Sequence, residues 1–180
     1  MEPVTFSQRV PPGEDRPRSV CDRCGFIDYV NPKIVVGSVV VWSEPGEEDR
    51  ILLCRRAIEP GYGLWTLPAG YMETGESSWA GATREAREEA GAEIEIDALI
   101  AVYDIPRISQ VQLMHRARLV RREIAAGIES LEVGLFRWDE IPWNQLAFPS
   151  VHWTLAQWRA TRDDVAVVPA RTPDGATAQG

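Results

Sequence analysis

The stretch Gly70–Ala92, GYMETGESSWAGATREAREEAGA, decides how this chain is read. Its second half carries good helix formers from Ser78 to about Ala90, with Ser77 or Ser78 placed to cap the start and Gly91 to end it. Gly75 permits a tight turn at the helix entrance. Along the predicted helix Glu85, Glu88 and Glu89 stand at i, i+3 and i+4, so three carboxylates share one face. Like charges at this spacing cost roughly 0.2–0.5 kcal/mol per pair. Arg84 and Arg87 supply part of the compensation. A hard divalent cation would supply more, because Mg²⁺ takes oxygen ligands, usually one or two carboxylates plus substrate phosphates. The cluster by itself leaves a plain solvated acidic face open.

Outward from this stretch the chain reads mostly as strands. Lys33–Trp42 (KIVVGSVVVW) is apolar on both faces, the pattern of a buried central strand. Ser43–Asp49, acidic with Pro45-Gly46, is a hairpin loop, and Arg50–Arg55 returns as a second strand. The loop Pro60-Gly61-Tyr62-Gly63 leads into a short strand at Leu64–Leu67. Glu93–Tyr103, Val111–Val120 and Leu131–Trp138 alternate like sheet strands, and a second helix follows Phe148-Pro149-Ser150 through Leu155 and Trp158. Few helices among many strands predict an α/β or α+β sandwich. The first twenty residues, broken by Pro11, Pro12 and Gly13, read as an irregular arm before a knuckle-like turn, Cys21-Asp22-Arg23-Cys24-Gly25. The last twenty, with Pro169, Pro173 and Asp174-Gly175, read as a solvated tail. The expected organisation is an arm over residues 1–32, a domain over 33–160 and a tail over 161–180.

Composition narrows the classes. A chain of 180 residues calls for one core, and 19 Lys+Arg against 27 Asp+Glu give a net charge of −8. Such a surface repels nucleic-acid backbones and anionic membranes, so neither is an expected partner. The longest apolar stretch, around Ile34–Trp42, is too short to span a bilayer. Three cysteines (Cys21, Cys24, Cys54) and no export signal argue against a disulfide framework and for a cytoplasmic protein. Residues 70–93 hold six Glu against two Arg, a net of −4, so half the excess charge sits in one loop and helix.

The whole stretch fits G-x5-E-x7-R-E-U-x-E-E-x-G-U, with U aliphatic or small; Gly70, Glu76, Arg84, Glu85, Ala86, Glu88, Glu89, Gly91 and Ala92 fill the specified places. This resembles the signature of the Nudix hydrolases. The resemblance implies an α/β/α sandwich with a mixed sheet and a loop–helix catalytic motif. Trp65–Gly70 looks like the strand that leads into that motif. RPRSVCDRCGFIDYVNPKIVVG upstream, and VYDIPRISQVQL and LAFPSVHWTL downstream, are similar to a subgroup with a small zinc-ribbon segment ahead of the domain. That subgroup includes ADP-ribose and FAD diphosphatases.

Carried onto this chain, the resemblance implies that Glu85, Glu88 and Glu89, with the main-chain carbonyl of Ala69, hold Mg²⁺ or Mn²⁺. Gly70, Glu76, Arg84 and Gly91 become the structural part of the box, with Glu76 and Arg84 as an ion pair closing loop onto helix. The family's general base has no fixed position; Glu132 is the first candidate and Glu129 the second. Arg55 and Arg56 are candidates for phosphate binding, and Tyr62 and Tyr103 for stacking on a base. Pro106 lies near the place where ADP-ribose-cleaving members tend to carry a proline.

The zinc ribbon is only half present. Cys21 and Cys24 form one Cys pair, a structural zinc needs four ligands, and no cysteine precedes Cys21. The sequence therefore argues against zinc while leaving a site shared between two subunits open. The expected function is a Mg²⁺-dependent hydrolase cleaving the diphosphate of a nucleoside diphosphate linked to another moiety, ADP-ribose or FAD first. Two alternatives stand beside it: a non-catalytic ligand-sensing domain, and a house-cleaning pyrophosphatase for nucleoside triphosphates. A homodimer is a possible assembly.

Overall fold

The computed structural model describes residues 3–175. Two compact units divide the chain at Pro32/Lys33. In the first, β1 (Phe6–Arg9), β2 (Arg18–Cys21) and β3 (Ile27–Asp28) form an antiparallel sheet in that order. This corrects the expectation of an irregular arm. Pro11, Pro12 and Gly13 break the chain only between β1 and β2, where Gly13 takes the left-handed conformation (φ 87°) that a turn requires. Glu14 accepts from both Arg18 and the Tyr29 hydroxyl, fastening that turn to the sheet.

The second unit contains β4 (Lys33–Trp42), β5 (Arg50–Arg56), β6 (Trp65–Thr66), β7 (Ala69–Tyr71), α1 (Ser78–Ala90), β8 (Ile94–Ile105), β9 (Gln110–Leu119), β10 (Ser130–Phe136), α2 (Pro149–Thr161) and β11 (Ala170–Arg171). The sheet order is β10-β5-β4-β9-β8-β11, with β6 beside β5 and β7 beside β4. β4–β9 and β8–β11 are parallel and the other pairs antiparallel, so the sheet is mixed. β4 is apolar on both faces because each face is covered. Val39, Val41, Ile51, Leu53, Leu155 and Trp158 belong to the cluster on the α2 side. Val40, Leu52, Cys54, Ala86, Ala90 and Leu119 belong to the cluster on the α1 side. Burying each Val or Leu contributes about 1.5–3 kcal/mol. The expected α/β/α sandwich is the fold, and no helix among the described residues is long and apolar enough to cross a membrane.

The tail expected over 161–180 is corrected in part. Ala170–Arg171 adds β11 alongside Ala101–Val102 of β8. The Thr172 hydroxyl then accepts from the Asp104 N–H (2.8 Å) and donates to its carbonyl (3.1 Å). Val167 and Ala170 pack against the core, but a two-residue strand leaves no periodicity for the sequence to reveal. Residues 176–180 of the expected tail lie outside the described residues.

His115 on β9 is fully buried under the start of α1. Its Nδ1 lies 3.1 Å from the Gly37 carbonyl, which only accepts, so Nδ1 carries the proton and donates. Nε2, 3.4 Å from the Ser78 hydroxyl, is then the acceptor. Desolvation lowers the His115 pKa below the usual 6.5. The unfolded chain therefore binds a proton that the folded one refuses, and stability falls as pH drops below about 6.5. Each unit of depression corresponds to about 1.4 kcal/mol. In thermal melts, His115→Gln is expected to lose less than wild type between pH 7 and pH 5; equal losses would refute the assignment.

Candidate active site

Local rules explain how the loop meets α1. Ser77 is extended and its hydroxyl accepts from the Ala80 N–H (3.2 Å), capping the first turn. Gly91 ends the helix in the left-handed conformation (φ 59°), with its N–H satisfying a carbonyl of the last turn. Between these caps Arg84 reaches back toward the loop. Its guanidinium holds Glu76 through two bonds (2.8 and 3.1 Å) and donates to the Tyr71 carbonyl (3.0 Å). Its Nη1 donates to Glu85 (2.7 Å) and Glu88 (2.9 Å). Glu76 also accepts from the Glu73 N–H (2.6 Å). Gly70 sits against the Glu85 carboxylate so closely that any Cβ there would overlap it.

Burial sets the electrostatics. Arg84 bonds and the Glu73 N–H hold Glu76 below the usual carboxylate range. Glu85, largely buried, is raised because desolvation outweighs its bond to Arg84. Glu89 is 5% exposed, with one hydrogen bond, from the Ala69 N–H (3.1 Å). Desolvation, opposed by that N–H and reinforced by the charges of Glu85 and Glu129, pushes Glu89 up to about 8.

A cavity of about 970 Å³ opens over this helix face, lined by Glu85, Glu88, Glu89, Glu129, Arg56 and Arg84 among others. Ala69 and Gly70 form part of its wall, while Glu76 and Gly91 stand behind it as scaffold. Its other walls mix apolar and polar groups, including Ile105, Pro106, Phe148, Ser150 and Trp153, with further charges at Glu59, Glu73, Asp104 and Arg107.

The structure sorts the remaining candidates. Arg55 and Arg56, successive on β5, point to opposite faces: Arg56 lines the cavity, whereas Arg55 binds the Gly63 carbonyl (2.9 Å) and pairs with Glu132 (3.5 Å). Glu129 lines the cavity and Glu132 does not. Tyr62 is exposed and outside the lining. Stacking on a base by Tyr103 is corrected, since it is 1% exposed, faces the core from β8 and packs edge-on against Trp153 (5.5 Å). Tyr71, Phe148 and Trp153 are the aromatic groups of the cavity wall.

Sequence reasoning missed how Glu129 is positioned. The Ala125 and Gly127 N–H groups donate to the Ala90 (2.8 Å) and Glu89 (3.0 Å) carbonyls, and the Ala57 N–H to the Glu129 carbonyl (2.8 Å). A Cβ at Gly127 would overlap the Glu88 carbonyl. Gly127 within IAAGIES was the available signal, but a lone glycine in a loop has many readings.

For a hard divalent cation the donor chemistry fits: oxygen ligands crowd one helix face, and Glu89 is a buried carboxylate with one hydrogen bond. As placed, Glu85 and Glu88 turn toward Arg84, and among the described residues no three His, Cys, Asp or Glu side chains converge as a ready ligand set. For zinc the first unit does not fit a four-ligand site. Buried Cys21 and exposed Cys24 supply two thiols, the Cys21 thiol being lowered by the Cys24 and Arg23 N–H groups.

The loop–helix motif with its clustered carboxylates defines a class, the phosphoanhydride hydrolases. The chain belongs to the Nudix family and is a Nudix diphosphatase: the NUDIX domain model matches residues 32–158, and the Nudix N-terminal model residues 3–30. It is 27% identical over 124 residues to an ADP-ribose pyrophosphatase of Methanocaldococcus jannaschii, covering 67% of this chain and 69% of that protein. It is 30% identical over 133 residues to the 8-oxo-dGDP phosphatase NUDT18 of Homo sapiens, covering 71% of this chain and only 41% of that protein. Among solved structures, a NUDIX hydrolase from Nitrosomonas europaea is 44% identical, with a TM-score of 0.83 and 92% of both chains covered. The NUDIX domain of Shewanella oneidensis NrtR, complexed with ADP ribose, is 20% identical with a TM-score of 0.63 over 74% of this chain and 90% of that one, a likeness of fold.

The raised Glu89 pKa has a measurable sign. Between its ordinary 4.5 and about 8, the folded protein holds a proton that the unfolded chain has released. Stability from this group is complete below pH 4.5 and is lost as pH rises to about 8. In EDTA, Glu89→Gln is therefore expected to gain several degrees of Tm on wild type from pH 5 to 8.5, at roughly 2–4 °C per kcal/mol. Mg²⁺ should narrow the gap by stabilising wild type. A pH-independent difference would overturn the assignment.

Proposed function

We propose that this chain is a Mg²⁺- or Mn²⁺-dependent hydrolase cleaving the diphosphate of a nucleoside diphosphate linked to another moiety, with ADP-ribose or FAD as first substrates. The observation that supports this most directly is the meeting of Glu85, Glu88, Glu89, Glu129 and Arg56 around one cavity. The archaeal ADP-ribose pyrophosphatase relative supports the substrate class. In this reading Glu85, Glu88 and Glu89, with the Ala69 carbonyl, hold the cation. When bound, the cation neutralises diphosphate charge and lowers the pKa of a water that attacks phosphorus.

The protein's own groups do the rest. Glu129 takes the proton of the attacking water as general base, the role first given in sequence to Glu132. Arg56 holds a phosphate oxygen. Arg84, fixed by Glu76, orients Glu85 and Glu88 while leaving Glu89 to face the cavity. A second reading, hydrolysis of oxidised purine nucleotides, draws on the human 8-oxo-dGDP phosphatase relative. The same proposal includes a cytoplasmic location, which suits unpaired thiols, and a homodimer, which light scattering would check.

The test is release of AMP from ADP-ribose, FAD and NADH with Mg²⁺, beside 8-oxo-dGDP and nucleoside triphosphates. One of the linked diphosphates is expected to have the highest kcat/KM. Preference for 8-oxo-dGDP would select the second reading, and tight binding without turnover would select a ligand sensor. On the best substrate Glu129→Gln is expected to cost about 10²-fold or more in kcat. Glu132→Gln is expected to stay within about twofold, since surface changes of this kind have small effects. The reverse order would return the base to Glu132.

A further inference from the structure

α2 begins against the cavity without a side-chain cap. Its N-cap is Phe148, which makes no side-chain hydrogen bond, and Pro149 at the first helical position has no N–H. The Val151 N–H makes a turn bond to the Phe148 carbonyl (3.1 Å), and the Ser150 N–H has no acceptor among the described residues. Ser150 is 8% exposed and lines the cavity. Its carbonyl accepts from the Thr154 hydroxyl (2.7 Å), but its own hydroxyl has no partner among the described residues. A buried residue thus presents two free donors at the positive end of a thirteen-residue helix dipole.

The fixed charge beside it has the same sign. Arg56 lies over the Phe148 ring, its Cζ 5.2 Å from the centroid, and its Nε is anchored on the Pro60 carbonyl (2.8 Å). That anchor leaves the terminal nitrogens of the guanidinium for a ligand. Arg56, Ser150 and Glu89 line the same cavity, so this corner opens onto the carboxylate face.

We propose that the N-terminus of α2, through the N–H and hydroxyl of Ser150 together with Arg56, is a second anion subsite that binds a phosphate group of the substrate not held at the carboxylate face. This rests on the diphosphatase reading and deepens it. The carboxylates would hold the cation that neutralises one phosphate, and Ser150 with Arg56 takes its neighbour directly. Such a division fixes which phosphorus faces Glu129.

One substitution separates this from a structural role. Ser150→Asp places a carboxylate at a helix N-terminus, where it favours the helix, so Tm should hold or rise. The same carboxylate repels phosphate. KM for the best linked diphosphate is expected to rise at least about tenfold, a larger effect than on kcat, and Ser150→Ala should raise it about threefold. A KM within twofold of wild type for Ser150→Asp would overturn the proposal.

The second measurement is independent of turnover. Inorganic phosphate titrated into the full chain in EDTA is expected to shift the backbone amide resonance of position 150 saturably in wild type and not in Ser150→Asp. No saturable shift in wild type would also overturn the subsite. If phosphate binds but no linked diphosphate is hydrolysed, the diphosphatase reading fails and the subsite stands.

Discussion

The Arg84 guanidinium is the interaction on which the site depends. It touches the Tyr71 carbonyl of β7, Glu76 of the loop, and Glu85 and Glu88 of the helix, so one planar cation joins three pieces of chain. The fork of donors on an arginine suits this task where an ammonium would not, because several acceptors lie at fixed angles in one plane. The cost of gathering like charges along α1 is offset where it arises. Glu89 lies outside this arrangement and carries the largest perturbation of the carboxylates, a consequence of being buried with a single main-chain donor.

Much of this was legible in the sequence because it rests on short-range rules. The run KIVVGSVVVW placed β4 between two layers, since a strand apolar on both faces needs cover on both. Ser77 and Gly91 marked the ends of α1 through capping chemistry. The spacing of Glu85, Glu88 and Glu89 put them on one helix face before any fold was known. Family likeness added what spacing alone could not, the meaning of that face.

What stayed hidden depends on partners far away in the chain. Tyr103 has the residue type for stacking on a base, yet the register of β8 turns it toward Trp153 in the core. Glu132 and Glu129 are both loop-to-strand glutamates, and only the pairing of β10 with β5, which sets Glu132 opposite Arg55, separates them. Arg55 and Arg56 differ by the strand's two-residue alternation alone. Ala170–Arg171 forms a strand because β8 offers an open edge, a property of the sheet and not of those two residues.

The loop between β9 and β10 is hydrogen-bonded to the end of α1 by main-chain donors, the N–H groups of Ala125 and Gly127, while the Ile124 side chain packs on the cluster that includes Ala86 and Ala90. Every residue except proline can present an N–H, so the identities of most side chains from Arg121 to Ala126 are free of that duty. Gly127 is the exception, for want of room beside the Glu88 carbonyl. The exposed positions among residues 121–126, Ile124 apart, can therefore drift in charge and composition between relatives, or be redesigned for solubility, while the carboxylate two residues past the glycine keeps its place. Variation and precision are adjacent in this loop because different atoms carry them.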